Sequence, residues 1–432
     1  MPLLPDTARR IDVLVAEAQA AGRAPSLVAG VVRDGQLVHV SGAGEHPRPD
    51  PDLGYRIGSI SKTMTAVLIM QLRDEGKLAL DDLLYRHLPG TPVGGVTLRQ
   101  LLGHAAGLQR EPDSAGWWER TEGSDLDTLL AGLTADKLAH PPHRTYHYSN
   151  LAYGLLGAVL ERVTGRPWFE LLTDRLLAPL GMSRTTYQAA EPFARGYVVH
   201  PWHGTLHEEP RTDTGAMAPA GQLWSTVADL AKWAAFLADP APEVLAPETL
   251  AEMCAPVVIS DLESWTHGHG LGLELYRLGE RVMVGHGGSM PGYVATLVVH
   301  RPSRTGVLAY ANAYGVPLVV GRTILTEVLD REPRPPRAPW RPSPPPPADA
   351  AELCGRWWWM GIPHDATWDG DALVITRIGR DPWRFTPEAT DRWRGRSGAN
   401  DGETLRVRRD AAGAATTLDI ATFLFTRTPS SP

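Results

Sequence analysis

Residues 331–350 read REPRPPRAPWRPSPPPPADA. Proline at this density removes backbone N–H donors and fixes φ near about −65°, so the stretch can neither continue a helix nor enter a sheet. It constrains the whole architecture. Whatever folds before it and whatever folds after it must each close its own core. The stretch is read as a semi-rigid linker between residues 1–330 and 351–432. With 432 residues in all, the first piece is long enough for a large buried core.

Within 1–330 the periodicities change along the chain. Residues 7–21 carry Ile11, Leu14, Val15 and Ala18 on one helical face. SLVAGVVRDGQLVHVSGAG then gives two strand-like runs around Asp34-Gly35, a hairpin signal. A helix is expected over roughly 60–75, and much of 80–240 is helical between Gly and Pro breaks. Strands return with LGLELYRLGERVMVGHGG and YVATLVVHRPSRTGVLAYAN, and a last helix is expected at about 317–330. This order predicts an α+β fold. One antiparallel sheet is built from both ends of the segment and flanked by the terminal helices, with a helical lobe over about 65–240.

After the linker, DALVITRI, ETLRVRRD and TFLFTRT alternate as short strands, which predicts a small antiparallel sheet or barrel. Seven of the 14 tryptophans lie between 340 and 393, enough aromatic bulk to fill a small β core or to form an aromatic wall.

A formal net charge of −7 offers nothing to nucleic acid. Cys254 and Cys354 make no disulfide framework and read as free thiols. His267-x-His269 and His200-x-x-His203 lack the carboxylate pattern of a metal motif, so no metal and no cofactor is expected. The N-terminus MPLLPDTARRIDVLVAEAQAAG has neither the basic start nor the apolar run of a signal peptide, and no window is long enough to span a bilayer. A cytoplasmic protein without membrane partners is the expectation.

The chemistry concentrates at RIGSISKTM, residues 56–64. With Ser59 at a helix start, its N–H lies at the positive end of the helix dipole. Lys62 follows one turn later on the same face. Only four of the 42 basic residues are lysines, so a lysine here stands out. An amine can act as a base once burial lowers its pKa from about 10.4. Tyr148-Ser149-Asn150 precedes the helical LAYGLLGAVLERVTG and adds a hydroxyl for proton relay and an amide for positioning. His286-Gly287-Gly288 ends the strand-like RVMVG; its glycines would admit a ligand backbone, and Ser289 would add an oxyanion N–H.

Ser-x-x-Lys, Tyr-x-Asn and His-x-Gly in this order resemble the penicillin-recognising serine enzymes, in particular the branch related to class C β-lactamases. VTLRQLLGHAAGL and APAGQLWSTVADLAKWAAFL add to the likeness, which covers about residues 7–330. The resemblance implies a β-lactamase/transpeptidase-like catalytic domain. In it Ser59 is the acylated nucleophile, Lys62 its base, Tyr148 the proton shuttle and Asn150 a positioning group. The N–H groups of Ser59 and Ser289 form the oxyanion hole, and Gly287 and Gly288 border the substrate. His286 departs from the fixed cation of β-lactam hydrolases. A neutral imidazole anchors a substrate carboxylate weakly.

The combination is similar to penicillin-binding-protein-type thioesterases, in which a lipocalin-like β domain, here 351–432, follows the catalytic one. That likeness implies release and head-to-tail macrocyclisation of a nonribosomal peptide ending in a D-residue. A carrier protein would deliver the peptidyl thioester. Esterases and D-amino-acid peptidases share the same motifs, and a non-catalytic peptide or β-lactam sensor shares the fold.

Overall fold

The computed structural model describes residues 2–332, 342 and 345–429. The chain divides into two units, Met1–Arg334 and Pro335–Pro432. The boundary lies in the proline-rich stretch, of which residues 333–341, 343 and 344 are outside the described residues; the expected linker conformation falls there, as does Trp340.

An antiparallel eight-stranded sheet forms the base of the first unit. Its strand order is Gln36–Gly44, Ser26–Arg33, Thr305–Ala311, Tyr293–His300, Arg281–Met290, Glu274–Leu278, His267–His269, Val258–Ile259. The N-terminal hairpin therefore lies against the last strand, and the sheet closes from the two ends of the segment. Asp34 and Gly35 both have positive φ, 48° and 79°, in the tight turn whose twist matches that of the flanking strands.

Strand Ser26–Arg33 is buried on both faces. Leu27, Ala29 and Val31 pack with Ile11, Val15, Ile324 and Val328 of the terminal helices Pro5–Gly22 and Val320–Arg331. Val28 and Val32 belong to the opposite core, with Trp233, Leu237 and Tyr310. The period of two sorts one strand between two hydrophobic layers.

The helical lobe fills the other side. Eleven of the 14 residues of helix Ser61–Asp74 are buried, so this helix has no solvent face and runs through the core. Helix Asn150–Thr164 lies beside it. The lobe is not wholly helical. Tyr197–Val199 pairs with Leu206–Glu208, and Tyr55–Arg56 with Trp224–Ser225.

The second unit is a closed barrel of eight antiparallel strands in chain order, from Gly355–Trp359 to Phe423–Thr426. Trp357, Phe385, Trp393, Leu405, Leu418 and Phe425 fill it. The tryptophan-rich stretch is thus mainly core material, although Trp358, Trp359, Trp368 and Trp383 are only half-buried. Among the described residues no helix is long and apolar enough to cross a membrane.

Candidate active site

Strand Tyr55–Arg56 leads into a 3-10 turn, Gly58–Ile60, and the α-helix starts at Ser61. Ser59 thus sits in the turn that feeds the helix, one turn earlier than a residue of the helix proper. It is half-buried between buried neighbours. The strand expected to stop at Gly285 runs on to Met290. Its neighbour Glu274–Leu278 pairs with it only as far as Gly285. Past that point the free side of the strand faces the Ser59 turn.

Two glycines allow this approach. A β-carbon on Gly58, where φ is +53°, would lie 2.6 Å from the Ser289 amide nitrogen. One on Gly288 would lie 2.0 Å from the Ile57 carbonyl oxygen and 3.3 Å from the Ser59 nitrogen. The room at Gly288, expected to admit a ligand backbone, is taken by the chain's own turn. The result is that the Ser289 backbone packs closely against the Ser59 turn. Gly287 faces the Leu318 side chain, which a β-carbon would approach to 3.0 Å.

Lys62 is completely buried. Its Nζ lies 2.9 Å from Ser59 Oγ, 2.6 Å from Asn150 Oδ1 and 2.6 Å from the Ala220 carbonyl. Burial pulls its pKa from 10.5 down to about 7, and the charges of Glu119, Glu111 and Glu274 oppose a further fall. The neighbours explain what a neutral amine does here. An amide oxygen and a carbonyl only accept, so they use the two N–H groups of a neutral amine. Its lone pair is left for the Ser59 hydroxyl. The Ser61 hydroxyl, by contrast, accepts the Leu223 N–H at 3.4 Å.

Ser149 caps the next helix, accepting the Ala152 N–H, and this fixes Tyr148 and Asn150 on either side of the cap. The Tyr148 hydroxyl lies 2.8 Å from Ser59 Oγ. Burial drives its pKa well above 10, so Tyr148 carries its proton. Asn150 turns its oxygen to Lys62 because its Nδ2 donates to Glu111, at 2.8 Å and 3.1 Å. Glu111 also accepts the Trp118 indole N–H at 2.7 Å and pairs with Arg110. Burial, then the charge of Glu111, push Glu119 up to about 7. Neither glutamate had a signature in the sequence.

On the sheet side, His286 is buried, and its Nδ1–H donates to the Gly287 carbonyl at 2.5 Å. Burial lowers its pKa, against the pull of Glu274, so it is neutral at pH 7. Glu274 accepts the Gly287 N–H at 2.9 Å and the Tyr276 hydroxyl. Burial works to raise Glu274, but His286 and these hydrogen bonds outweigh it and keep the carboxyl below its ordinary range. His269 and His104 complete the wall behind Tyr148, the ring of His104 lying 4.3 Å from the Tyr148 ring. Of the candidate pairs of the sequence, His267 and His269 part, and His200 and His203 stay together. His267 bonds Ser260, and His200 stacks on His203 away from this wall. Cys254 and Cys354 are free.

A serine hydroxyl bonded to a buried lysine and a protonated tyrosine can be deprotonated for nucleophilic attack. The model of the beta-lactamase family matches residues 11–330. The chain belongs to the beta-lactamase family. The family's members are in general serine hydrolases. A second family model, Domain of unknown function (DUF7586), matches residues 346–427, the barrel.

Beta-lactamase-like protein 2 of Dictyostelium discoideum is 26% identical over 330 residues, covering 71% of this chain and 59% of that protein. The chain spans 59% to 65% of the length of such curated relatives. Among solved structures, a D-stereospecific amidohydrolase from Streptomyces sp. is 28% identical, covering 74% of this chain and 98% of that one, with TM-score 0.64. SurE is 26% identical, covering 98% of this chain and 99% of its own, with TM-score 0.62, and has also been crystallised with D-Leu.

Proposed function

We propose that this chain is a serine acyl-enzyme hydrolase or acyltransferase of the class C-related branch that acts on the carbonyl of a D-configured residue in a peptide-like substrate. The observation that carries the chemistry is the Lys62 amine, buried, near pKa 7 and bonded to Ser59. Its lone pair takes the Ser59 proton as Oγ attacks the substrate carbonyl. The Ser59 and Ser289 amides hold the oxyanion, a contribution of about 10²–10³ per donor in comparable sites. Tyr148, protonated and 2.8 Å from Oγ, gives its proton to the leaving group, and the proton that Lys62 took from Ser59 restores it. Deacylation runs these transfers in reverse with an incoming water or amine.

The D-preference is supported by the likeness to a D-stereospecific amidohydrolase and to SurE, which holds D-Leu. The likeness to SurE extends over the barrel as well as the catalytic unit. On this basis the donor is a peptidyl thioester brought by a carrier protein, and the acceptor is the peptide's own N-terminal amine, giving a macrocycle. Neutral His286 backed by Glu274 offers no anchor for a donor carboxylate, which fits a thioester and counts against β-lactam turnover.

Glu111 and Glu119 favour a second reading. Two glutamates electrostatically coupled to Lys62 suit a free α-ammonium group, as in a D-amino-acid amide or a short D-peptide hydrolysed by water. One experiment separates the two. The purified protein is offered a peptidyl thioester ending in a D-residue, its L-epimer, and a D-amino-acid amide, and the products are read by mass spectrometry. Cyclic peptide from the D-thioester alone is the expected result. Linear acid from short esters as readily as from peptides ends the cyclase reading, and turnover of the amide alone selects the second. A slow acylating reagent that leaves no adduct on Ser59 would overturn both.

A further inference from the structure

Behind Tyr148 three elements each contribute one histidine. His104 comes from the turn after helix Leu98–Leu102, His269 ends strand His267–His269, and His286 lies in strand Arg281–Met290. Their exposures are 1%, 0% and 2%. One ring nitrogen of each lies within 4.8 Å of one from each of the others. None of the three Nε2 atoms has a hydrogen-bond partner among the described residues. One buried orphan can be an accident of packing. Three in one cluster point to a shared partner.

The tautomers say what fits. His269 donates its Nδ1–H to the Gly270 carbonyl at 2.9 Å, and His286 does the same to Gly287 at 2.5 Å. A neutral ring that donates from Nδ1 has a bare lone pair on Nε2. His104 is reversed. Its Nδ1 accepts the Ser149 backbone N–H at 3.1 Å, so its proton sits on Nε2. Burial is the largest influence on all three and lowers their pKa, outweighing the pull of Glu274 on His269 and His286, so the rings are neutral at pH 7. The cluster therefore presents two acceptors and one donor.

A divalent metal needs a lone pair from every ligand. His104 could give one only by releasing the Ser149 N–H, which would then be buried without a partner. Ammonium has no lone pair for the His104 N–H. Water has two O–H groups for His269 and His286 and a lone pair for His104, and three bonds are what buried waters make.

We propose that His104, His269 and His286 hold one water molecule, and that this water fixes the two rings flanking Tyr148. The His104 ring lies 4.3 Å from the Tyr148 ring and the His286 ring 6.1 Å away. The three histidines act through this water to position the proton carrier, and they touch no reacting atom.

The test uses the full chain. Nitrogen-15 NMR should find His104 as the Nε2–H tautomer and His269 and His286 as Nδ1–H tautomers. A high-resolution crystal structure should show one solvent peak among the three Nε2 atoms. After dialysis against zinc, the protein should carry no stoichiometric metal at the cluster. One zinc per chain there, an Nδ1–H tautomer at His104, or a dry cluster would overturn the proposal. The link to Tyr148 rests on the proton transfer proposed above, whereas tautomers and occupancy do not, so the two fail separately. His269→Gln keeps an acceptor near the Nε2 position, and His269→Leu removes it. Turnover should fall about tenfold in the leucine variant, the scale of one lost hydrogen bond, with KM unchanged and the glutamine variant close to the parent. Equal losses in both would break the link to Tyr148.

Discussion

The two units treat ionisable side chains differently. In the barrel, most arginines and acids meet at the surface, as in Arg356–Asp365 and Arg394–Glu388, and the aromatic and aliphatic core has beside it only His364 and Asp419, the latter paired with Arg408, as buried ionisable groups among the described residues. In the first unit Lys62, Arg56, His104, His269 and His286 are all buried. Taking such groups out of water is costly unless each finds a partner. Buried groups with altered protonation gather at functional sites. The contrast is one of degree: the cluster of buried ionisable groups lies in the first unit.

The comparison breaks first at the nucleophile. Ser59→Ala and Lys62→Ala should each lower kcat/KM by about 10³-fold or more, because residues acting as one unit fail together. Adding both changes should cost little beyond either alone, and steady-state rates on an activated ester check this. Tyr148→Phe keeps the ring and removes only the proton carrier. A loss of about 10²–10³ in turnover is expected, smaller for esters with good leaving groups than for amides.

On the barrel side, Trp393→Ala should cost about 3–5 kcal/mol of that unit's stability, measured by denaturant unfolding. Its cause is cavity formation and no ionisation, so the loss should not vary between pH 6 and 9.

A subtler test sharpens the first unit's side of the contrast. Glu111→Gln leaves an amide facing Asn150 and frees that side chain to turn. Turnover should fall about tenfold, the scale of one charge-assisted hydrogen bond. The smallest effect is one of pH. Lys62 must be neutral to accept a proton, so kcat/KM should fall as pH drops through about 7. Glu119, itself near 7, carries a negative charge that raises the Lys62 pKa. Glu119→Gln should therefore move the acid limb to lower pH, and a move to higher pH would contradict the electrostatics.

Local spacing made part of this site legible. Ser59 and Lys62 are one turn apart, and Tyr148 and Asn150 flank a helix cap, so the chain's own geometry brings each pair together. The sheet was legible because Asp34-Gly35 marks a hairpin and the strand runs sit at both ends of the segment. Glu111, Glu119, Glu274 and His104 were not legible. They lie on loops, a short 3-10 helix or a strand with no period of their own, and only the packing of distant elements gives them meaning. His269 was noticed for the wrong partner, since its companions are His104 and His286 and not His267. The glycines after His286 read as a strand end, yet the strand continues through them because they are needed for contact with the Ser59 turn.

The central claim is that burial alone turns Lys62 into a base. With only four lysines in the chain, their side chains can be followed one by one in an NMR titration of isotope-labelled lysine. One signal should titrate near pH 7 and vanish in Lys62→Ala, while Lys137, paired with Asp113, stays above the ordinary lysine value. Four lysines all titrating above about pH 10, at the ordinary value for an exposed amine, would contradict the account.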